Sequence, residues 1–274
     1  MTASPIFEVE NVSFEYESIP ALRGLSLTID RGQSVALVGA NGSGKSTLLR
    51  LLDALCFPSG GTVSFCGDSL TAEKFHSDEY SISFRRRVAM VFQKPDVQLF
   101  NATVFDEVAF GPLQMGWSPA DVVTRVDETL ELMGIAQLRD RAPYRLSGGE
   151  KKRVALASVI VLDPEVLLLD EPTSMLDPRS QSQLIDLIQQ WKGSSKTVIT
   201  ATHQLEIVED IADRVFVLEQ GSVAANGLAR DILSDSDLLL RANLVHAHRH
   251  SHGTMTHSHP HLHSHGEHKH ESQS

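Results

Sequence analysis

The stretch that decides the fold is GANGSGKS, residues 39–46. It fits the pattern G-x-x-x-x-G-K-[ST], in which glycines let the backbone curl so that successive N–H groups point into one concavity. The apolar run SVALVG (34–39) leads into it and the helical pattern KSTLLRLLDAL (45–55) follows. A helix N-terminus attracts anions. The stretch therefore predicts a phosphate-binding loop between a buried strand and a helix, rather than an accidental glycine-rich turn.

The residue types in this loop indicate how a nucleotide would be held. Lys45 is expected to bridge the β- and γ-phosphates, and the Ser46 hydroxyl is expected to ligate Mg²⁺. The backbone of the loop and of the first helical turn is expected to hold the phosphate oxygens. The predicted nucleotide-binding residues here are Gly39, Ala40, Asn41, Gly42, Ser43, Gly44, Lys45, Ser46 and Thr47.

Further apolar runs extend the predicted sheet. EVLLLD (165–170) and TVITAT (197–202) are short, wholly apolar strands of the kind buried in a parallel sheet. DPRSQSQLIDLIQQW (177–191), between them, predicts a capped amphipathic helix, and SPADVVTRVDETLELMG (118–134) predicts another. RVFVLEQGSVAANG (214–227) predicts a hairpin about Gln220-Gly221. Strand, helix and strand in this order imply a right-handed crossover and an α/β fold.

Polar side chains follow two of these strands. Asp170 and Glu171 end the first, and His203 ends the second. Because the carboxyl ends of parallel strands meet at one edge of a sheet, these groups are expected beside the phosphate-binding loop. Asp170 is expected to hold Mg²⁺ and Glu171 to polarise the attacking water, with His203 reaching the γ-phosphate. An acidic surface pair and an ordinary structural histidine are the alternatives.

A second glycine pair precedes another helix, in RLSGGEKKR (145–153). Ser147 and Glu150 satisfy a capping box, which by itself does not need the glycines at 148 and 149. Those glycines leave backbone N–H groups accessible to an anion. The cations at 151–153 crowd the first turn, where they oppose the helix dipole unless an anion offsets their charge. This helix start is therefore predicted to be a second phosphate-binding surface.

In their order along the chain, these motifs resemble the ATP-binding cassette (ABC) ATPases over about residues 6–240. The resemblance implies a P-loop NTPase (RecA-like) parallel sheet core with an antiparallel β subdomain and a helical signature subdomain. It also implies ATP hydrolysis with Mg²⁺. Tyr16 falls where the family stacks an aromatic ring on adenine, and Gln93 in VFQKPD is expected to ligate Mg²⁺ and to act in catalysis. Lys45, Glu171 and His203 complete the expected catalytic set.

The resemblance further implies a second cassette, identical or different, as a partner. Two such chains dock head to tail, so that each ATP lies between the loop of one and Ser147, Gly148 and Gly149 of the other. Asp177 ends the matching segment SMLD. The sequence departs from the family pattern at Glu150, where many relatives have glutamine, and at Met175, where a small residue is common. Neither departure removes a phosphate ligand.

The segment FQKPDVQLFNATVFDEVAFGP (92–112) resembles the cobalt/nickel and energy-coupling-factor group of importers. In that group this region contacts a multi-spanning membrane subunit. Phe100, Val104 and Phe105 are therefore expected to form an exposed apolar contact surface, or else simply part of the core. The predicted function is the ATPase subunit that energises Ni²⁺ or Co²⁺ uptake. Vitamin uptake is the main alternative, and a cassette ATPase without a transport role is a third.

The chain closes on HAHRHSHGTMTHSHPHLHSHGEHKH (246–270), which holds 11 of the 13 histidines. Interleaved H-x-H units are not the block of consecutive histidines used as a purification tag. Neutral imidazole suits Ni²⁺, Co²⁺, Zn²⁺ and Cu²⁺. The tail is expected to be disordered without a ligand and to collect metal. The predicted ligands are His246, His248, His250, His252, His257, His259, His261, His263, His265, His268 and His270.

Composition narrows the functional classes. The formal net charge of −11 makes nucleic acid an unexpected partner, because phosphate binding needs a clustered basic surface. No apolar run reaches the ~18 residues of a spanning helix, so the chain is expected on the cytoplasmic face of the membrane, as a peripheral subunit. Cys56 and Cys66 are expected to be reduced thiols. The predicted domains are an ABC ATPase domain over 1–240 and a histidine-rich tail over 241–274.

Overall fold

The computed structural model describes residues 5–252 and 255–261. In chain order, its strands are β1 Pro5–Tyr16, β2 Ile19–Asp30, β3 Ser34–Val38, β4 Gly60–Phe65, β5 Asp68–Ser69, β6 Val88–Val91, β7 Val166–Asp170, β8 Thr197–Thr202, β9 Arg214–Glu219, β10 Ser222–Leu228, β11 His246–His252 and β12 Met255–His261. Its α-helices are α1 Lys45–Leu52, α2 Asp78–Arg85, α3 Val104–Gln114, α4 Pro119–Leu132, α5 Gly148–Ile160, α6 Pro178–Trp191, α7 Val208–Ile211, α8 Ala229–Ser234 and α9 Ser236–Arg241. Short 3₁₀ helices cover Lys74–His76, Pro95–Val97, Ala136–Leu138, Pro143–Arg145 and Leu205–Ile207.

The central sheet has the strand order β10-β9-β3-β8-β7-β6. Its pairs are parallel from β9 to β6, and β10 adds an antiparallel edge. Every residue of β3, β7 and β8 is buried, as expected for strands covered on both faces. The predicted parallel core is confirmed. Since β8 lies between β3 and β7, the ends of all three strands meet at one edge.

A second sheet, of order β2-β1-β4-β5, is antiparallel. Leu25, Leu27 and Ile29 alternate with more exposed residues along β2 and are buried. They share an apolar core with α1 and with β3, which contribute Leu48, Leu49 and Leu37 among others. The predicted antiparallel subdomain is therefore confirmed, and its packing holds the end of β1 next to α1.

The helices α3, α4 and α5 pack against one another. Ser118 caps α4 by accepting the Asp121 N–H, Pro119 is its first residue, and Gly134 with φ 63° follows its end. The buried apolar face of this predicted amphipathic helix consists of Val122, Val126, Leu130 and Met133. No helix within the described ranges is long and apolar enough to span a bilayer.

The folded part of the chain continues beyond residue 240, where the sequence placed its boundary. The hairpin about Gln220-Gly221 is present as predicted, in β9 and β10. After it, Leu239, Ala242 and Val245 are buried in the same core as the central sheet. The sequence missed this because the apolar residues after α8 are too few to show a helical period.

The sequence predicts a tail that is disordered without a ligand, and in the structure β11 and β12 of this tail pair as an antiparallel hairpin. The H-x-H repeat has a period of two residues, which is also the period of a strand. His246, His248, His250, His252, His257, His259 and His261 lie in these strands. His263, His265, His268 and His270 lie outside the described residues.

Candidate nucleotide-binding site

The predicted phosphate-binding loop connects β3 to α1 and is shaped by close backbone approaches. Gly44 has φ 106°, in the left-handed region that favours glycine, and a Cβ there would lie 2.7 Å from Leu22 Cδ2. A Cβ on Gly39 would lie 2.3 Å from the Leu218 carbonyl oxygen. The first and last glycines of the motif are therefore required by packing against β2 and β9.

Polar groups inside the loop suit a phosphate. Ser43 is buried, and its hydroxyl has no hydrogen-bond partner among the described residues. Lys45 Nζ donates to the carbonyl oxygens of Gly39 at 2.6 Å and Ala40 at 3.1 Å. Burial lowers the pKa of Lys45, and the nearby carboxylates of Glu171 and Asp170 oppose the shift. A phosphate group satisfies both a buried hydroxyl and a buried cation, so these residues fit the predicted nucleotide.

The predicted Mg²⁺ ligands come together at the end of β7. Ser46 Oγ, in the first turn of α1, donates to Asp170 Oδ1 at 3.0 Å. Burial raises the pKa of Asp170, and the hydrogen bond from Ser46 opposes that shift. Gln93, just after β6, lines the same cleft as Ser46. Hydroxyl, carboxylate and amide oxygens are ligands that Mg²⁺ prefers, so the residues present fit this ion.

Glu171 is buried beside the end of β8. His203 Nδ1 lies 2.7 Å from Glu171 Oε1, and the Thr202 hydroxyl donates to Oε2 at 3.3 Å. Glu171 has φ 46°, and its N–H donates to the Ala201 carbonyl at 2.9 Å. A non-glycine residue in this region costs roughly 1–3 kcal/mol and persists where surrounding contacts hold it, often at functional sites. The structure thus brings the predicted water-activating carboxylate and histidine into direct contact.

One open cleft of about 510 Å³ brings Lys45, Ser46 and Glu171 together. Asp170 and His203 do not line it but contact Ser46 and Glu171. Tyr16 stands at its rim with 41% of its surface exposed. The Tyr16 hydroxyl accepts a hydrogen bond from Arg50 Nη1 of α1 at 3.0 Å. An aromatic ring at the rim suits stacking on adenine. The lining residues are Tyr16, Ile19, Pro20, Ala21, Asn41, Gly42, Ser43, Gly44, Lys45, Ser46, Thr47, Gln93 and Glu171.

Sequence reasoning missed several members of this site. Ile19, Pro20 and Ala21 line the cleft because a tight turn returns the chain from β1 beside Tyr16. Their proximity to Tyr16 in the sequence was the available signal. Thr202, which donates to Glu171, lies within an apolar strand, and no local pattern distinguishes it.

Ser147, Gly148 and Gly149 do not line the cleft of this chain. Ser147 caps α5, and both hydrogen bonds of its capping box with Glu150 are present. A Cβ on Gly148 would lie 3.0 Å from Met175 Cε, and one on Gly149 would lie 3.3 Å from the Met175 carbonyl oxygen. Met175 itself is 60% exposed. Gly148 and Gly149, which we call the signature glycines, therefore lie against Met175, where the sequence departs from the family pattern.

The three cations of the first turn of α5 contact three different neighbours within the chain, and the phosphate-binding role of this helix start stays a prediction. Lys151 pairs with Asp96 at 2.6 Å, and Arg153 donates to the Ser180 hydroxyl at 2.9 Å. Lys152 is fully buried. Successive helical residues point about 100° apart, which directs the three side chains to different neighbours. Each of the three cations thus has a partner within the chain, and the partner of Lys151 is a carboxylate.

Comparison with known proteins agrees with this geometry. The ABC transporter family matches residues 22–174. The nickel import ATP-binding protein NikO of Rhodobacter capsulatus is 52% identical over 245 residues, covering 88% of this chain and 96% of that protein. The energy-coupling factor transporter ATP-binding protein EcfA2 of Methanospirillum hungatei is 41% identical, covering 88% of this chain and 60% of that protein.

Solved structures share the fold. The cbiO1 protein of Clostridium perfringens, described as part of the ABC transporter complex cbiONQ, superimposes with a TM-score of 0.73 and 36% identity, covering 88% of this chain and 95% of its own. The dimeric ATP-binding cassette MJ0796 bound to ADP and Pi gives a TM-score of 0.75 and 26% identity, covering 82% of this chain and 99% of its own. The chain therefore belongs to the ABC transporter family, as an ATPase that couples ATP hydrolysis to transport.

Proposed function

We propose that this chain is the ATP-hydrolysing subunit of a membrane importer for Ni²⁺ or Co²⁺. The observation that carries the proposal is the 52% identity, over 88% of the chain, to a nickel import ATP-binding protein. The cleft described above supplies the groups that hydrolysis needs. The position of the subunit is the cytoplasmic face of the membrane, held there by another chain.

Each group in the cleft has a distinct role in the proposed reaction. Tyr16 stacks on adenine, and the loop backbone with Lys45 holds the phosphates. Glu171 orients the attacking water and accepts its proton, while His203 stabilises the γ-phosphate and holds the Glu171 carboxylate in place. Ser46, Gln93 and Asp170 would hold Mg²⁺, which would supply positive charge to the phosphate oxygens.

A second cassette completes the site. Ser147, Gly148 and Gly149 lie outside the cleft of their own chain, yet their capped helix start presents N–H groups suited to an anion. Their role in the proposal is to bind the ATP held by the partner, in a head-to-tail pair. A related cassette has been solved as a dimer in a post-hydrolysis state. The partner is a second copy of this chain or a different cassette.

An exposed apolar surface suits the proposed membrane subunit. Of the three residues predicted for this role, Val104 is buried, Phe105 packs against the core, and Phe100 is 67% exposed. Phe100 meets Phe110 edge to face, with ring centroids 5.0 Å apart, and Phe110 is 41% exposed. We call the exposed pair Phe100 and Phe110 the aromatic patch.

A buried carboxylate fixes the loop that carries this patch. Glu107 is 3% exposed, and its Oε2 accepts the N–H groups of Phe100 at 2.8 Å and Asn101 at 2.7 Å. Two charge-assisted bonds to backbone hold a loop more firmly than apolar contact alone. The loop part of the aromatic patch is therefore held in place, as a docking surface for a helix of the membrane subunit requires. The related protein cbiO1 is part of the ABC transporter complex cbiONQ.

The histidine tail supports a metal cargo. The backbone register places histidine opposite histidine three times, His246 with His261, His248 with His259 and His250 with His257. The histidines of one strand therefore pair in register with histidines of the other. In the proposal the tail buffers or senses metal and is not the transport path. With an unperturbed histidine pKa of about 6.5, metal capture weakens below about pH 6.

Uptake of labelled Ni²⁺, Co²⁺ and vitamins by cells with and without this protein tests the cargo. The proposal predicts that loss of the protein abolishes Ni²⁺ or Co²⁺ uptake and that wild-type protein restores it, whereas Glu171→Gln does not. Loss of vitamin uptake alone would favour the energy-coupling-factor alternative, to which the 41% identity to EcfA2 points. Unchanged uptake of all cargoes would favour a cassette ATPase without a transport role.

A further inference from the structure

Lys152 is a fully buried cation that the roles given above do not use. It belongs to α5, the helix that begins with the signature glycines. Its ammonium donates to the carbonyl oxygens of Phe92 at 2.9 Å, Gln93 at 3.2 Å and Asp170 at 3.4 Å. An ammonium has three N–H donors, so all three are matched by backbone acceptors.

These acceptors belong to two elements that carry the proposed Mg²⁺ ligands. Phe92 and Gln93 follow β6, and Asp170 ends β7. A lysine is almost never fully buried without partners, because withdrawing a charge from water is costly. Lys152 is buried in spite of this cost, and all of its donors are bonded. It therefore fixes the distance between α5 and the ends of β6 and β7.

A second contact ties the same segment to α5. Gln98 Nε2 donates to the Ala155 carbonyl at 2.9 Å and to the Ser158 hydroxyl at 3.1 Å, while its Oε1 accepts the Phe92 N–H at 3.3 Å. The segment from Phe92 to Gln98 is therefore attached to α5 at both of its ends. Movement of Gln93 and movement of α5 are mechanically linked.

We propose that Lys152 is a positioning residue that couples the signature helix to the Mg²⁺-binding edge of the ATP site. It touches neither nucleotide nor metal and acts through Gln93 and Asp170. Gln93 moves when it binds the nucleotide. Lys152 transmits this movement to α5, and so sets the position in which Ser147 and the signature glycines face the partner. This inference rests on the proposed roles of Gln93 and Asp170.

Three variants test the coupling in the full-length protein. Lys152→Met keeps an unbranched side chain of similar length but removes every donor, and Lys152→Gln restores two donors without the charge. Lys196→Met is the matched control, because Lys196 also donates to backbone carbonyls, of Asp163 at 3.3 Å and Pro164 at 3.0 Å, at the opposite end of the sheet.

Steady-state ATP hydrolysis is the first readout. Lys152→Met loses all three hydrogen bonds of the ammonium, so we expect kcat to fall by about 10- to 100-fold, with an unchanged KM for ATP. Lys152→Gln is expected to recover much of the loss, and Lys196→Met to match wild type. Wild-type kcat in Lys152→Met, a changed KM with unchanged kcat, or no recovery in Lys152→Gln would each overturn the coupling role.

ATP-dependent dimer formation in a Glu171→Gln background is the second readout. Adding Lys152→Met is expected to lower the fraction of dimer formed at saturating Mg-ATP, whereas adding Lys196→Met is not. If Lys152→Met does not fold, Lys152→Gln carries the test, with a kcat below wild type and an unchanged KM. A wild-type protein without ATPase activity would refute the proposed function itself, whereas an active wild type with an equally active Lys152→Met would refute only the coupling.

Discussion

At the residue scale, the ATP site is built from charged groups that are partly withdrawn from water. Burial raises the pKa of Asp170 and lowers the pKa of Lys45, and it lowers the pKa of Lys152 to about 8. Each group is held by specific contacts, among them the hydrogen bond from Ser46 to Asp170. In such surroundings, fixed charges act more strongly on a reacting phosphate than they would in water.

Replacing His203 tests whether its contact with Glu171 serves catalysis. His203→Ala removes the partner 2.7 Å from Glu171 Oε1. Since positioned proton-transfer groups contribute typically 10²–10⁴-fold, we expect kcat for ATP to fall by at least about 10²-fold. ATP binding, measured with a fluorescent analogue, should be unchanged. His76→Ala is the control and should behave as wild type. Full activity in His203→Ala would exclude the catalytic role.

A buried carboxylate away from the cleft gives the protein a pH-dependent stability. Asp53 follows α1 and is 5% exposed, with Arg85 Nη1 3.0 Å from its Oδ1. Burial raises the pKa of Asp53 from 3.8 to about 7, against the opposing charge of Arg85. The pKa of Asp53 is higher in the folded than in the unfolded chain. The contribution of Asp53 to the free energy of unfolding is therefore fully present below about pH 4 and is lost as the pH rises through 7.

Asp53→Asn should remove this dependence, because an amide does not ionise. Between pH 5 and pH 8, the free energy of unfolding of Asp53→Asn should rise relative to wild type by about 2–3 kcal/mol. Denaturant unfolding at several pH values measures the difference. Asp140→Asn, which alters an exposed carboxylate paired with Arg139, should show a constant difference from wild type. The same constant difference in Asp53→Asn would contradict the assignment.

At the element scale, the strand ends and the loop were predictable, because each carries a local signal. The glycine spacing at 39–46 and the apolar runs before Asp170 and His203 depend only on neighbouring residues. Lys152 was not predictable, since its acceptor Phe92 lies 60 residues earlier and the contact forms only after packing. From the sequence, Lys152 belonged to a helix start predicted to bind phosphate. In the structure its side chain points to backbone carbonyls instead.

The aromatic patch belongs to the element scale as well, since a loop and α3 create it together. The double variant Phe100→Ser/Phe110→Ser removes the two contacting rings. Interface aromatic residues often contribute 2 kcal/mol or more, so we expect loss of co-purification with a multi-spanning membrane subunit. ATP hydrolysis by the isolated chain should be unchanged. Val123→Ser/Leu132→Ser alters exposed apolar residues of α4 and is the matched control. Intact co-purification in the first variant would refute docking through this patch.

At the scale of the whole molecule, an ATPase domain is joined to a histidine-rich tail, for which we propose a separate role. The net charge of −11 attracts cations and disfavours nucleic acid. The resemblance to cassette ATPases over about 6–240 was sufficient to predict the fold. It was not sufficient to predict the hairpin of β11 and β12, because relatives inform only the shared part of the chain.

Deleting residues 246–270 separates the two roles. ATP hydrolysis should be unchanged, and binding of Ni²⁺ or Co²⁺ measured by calorimetry should be lost. A variant in which the eleven tail histidines become glutamine should behave like the deletion, because it keeps the length and removes the imidazoles. A collapse of hydrolysis in either variant would show that the tail belongs to the ATPase machinery.

The central claim is that each ATP site is completed by the signature glycines of another chain. Sedimentation of Glu171→Gln with and without Mg-ATP tests it most directly, because this variant binds ATP without the carboxylate that activates water. The account predicts an ATP-dependent dimer that Ser147→Arg, which blocks the signature surface, does not form. A protein that stays monomeric with ATP while the wild type turns over ATP at full rate would contradict the account.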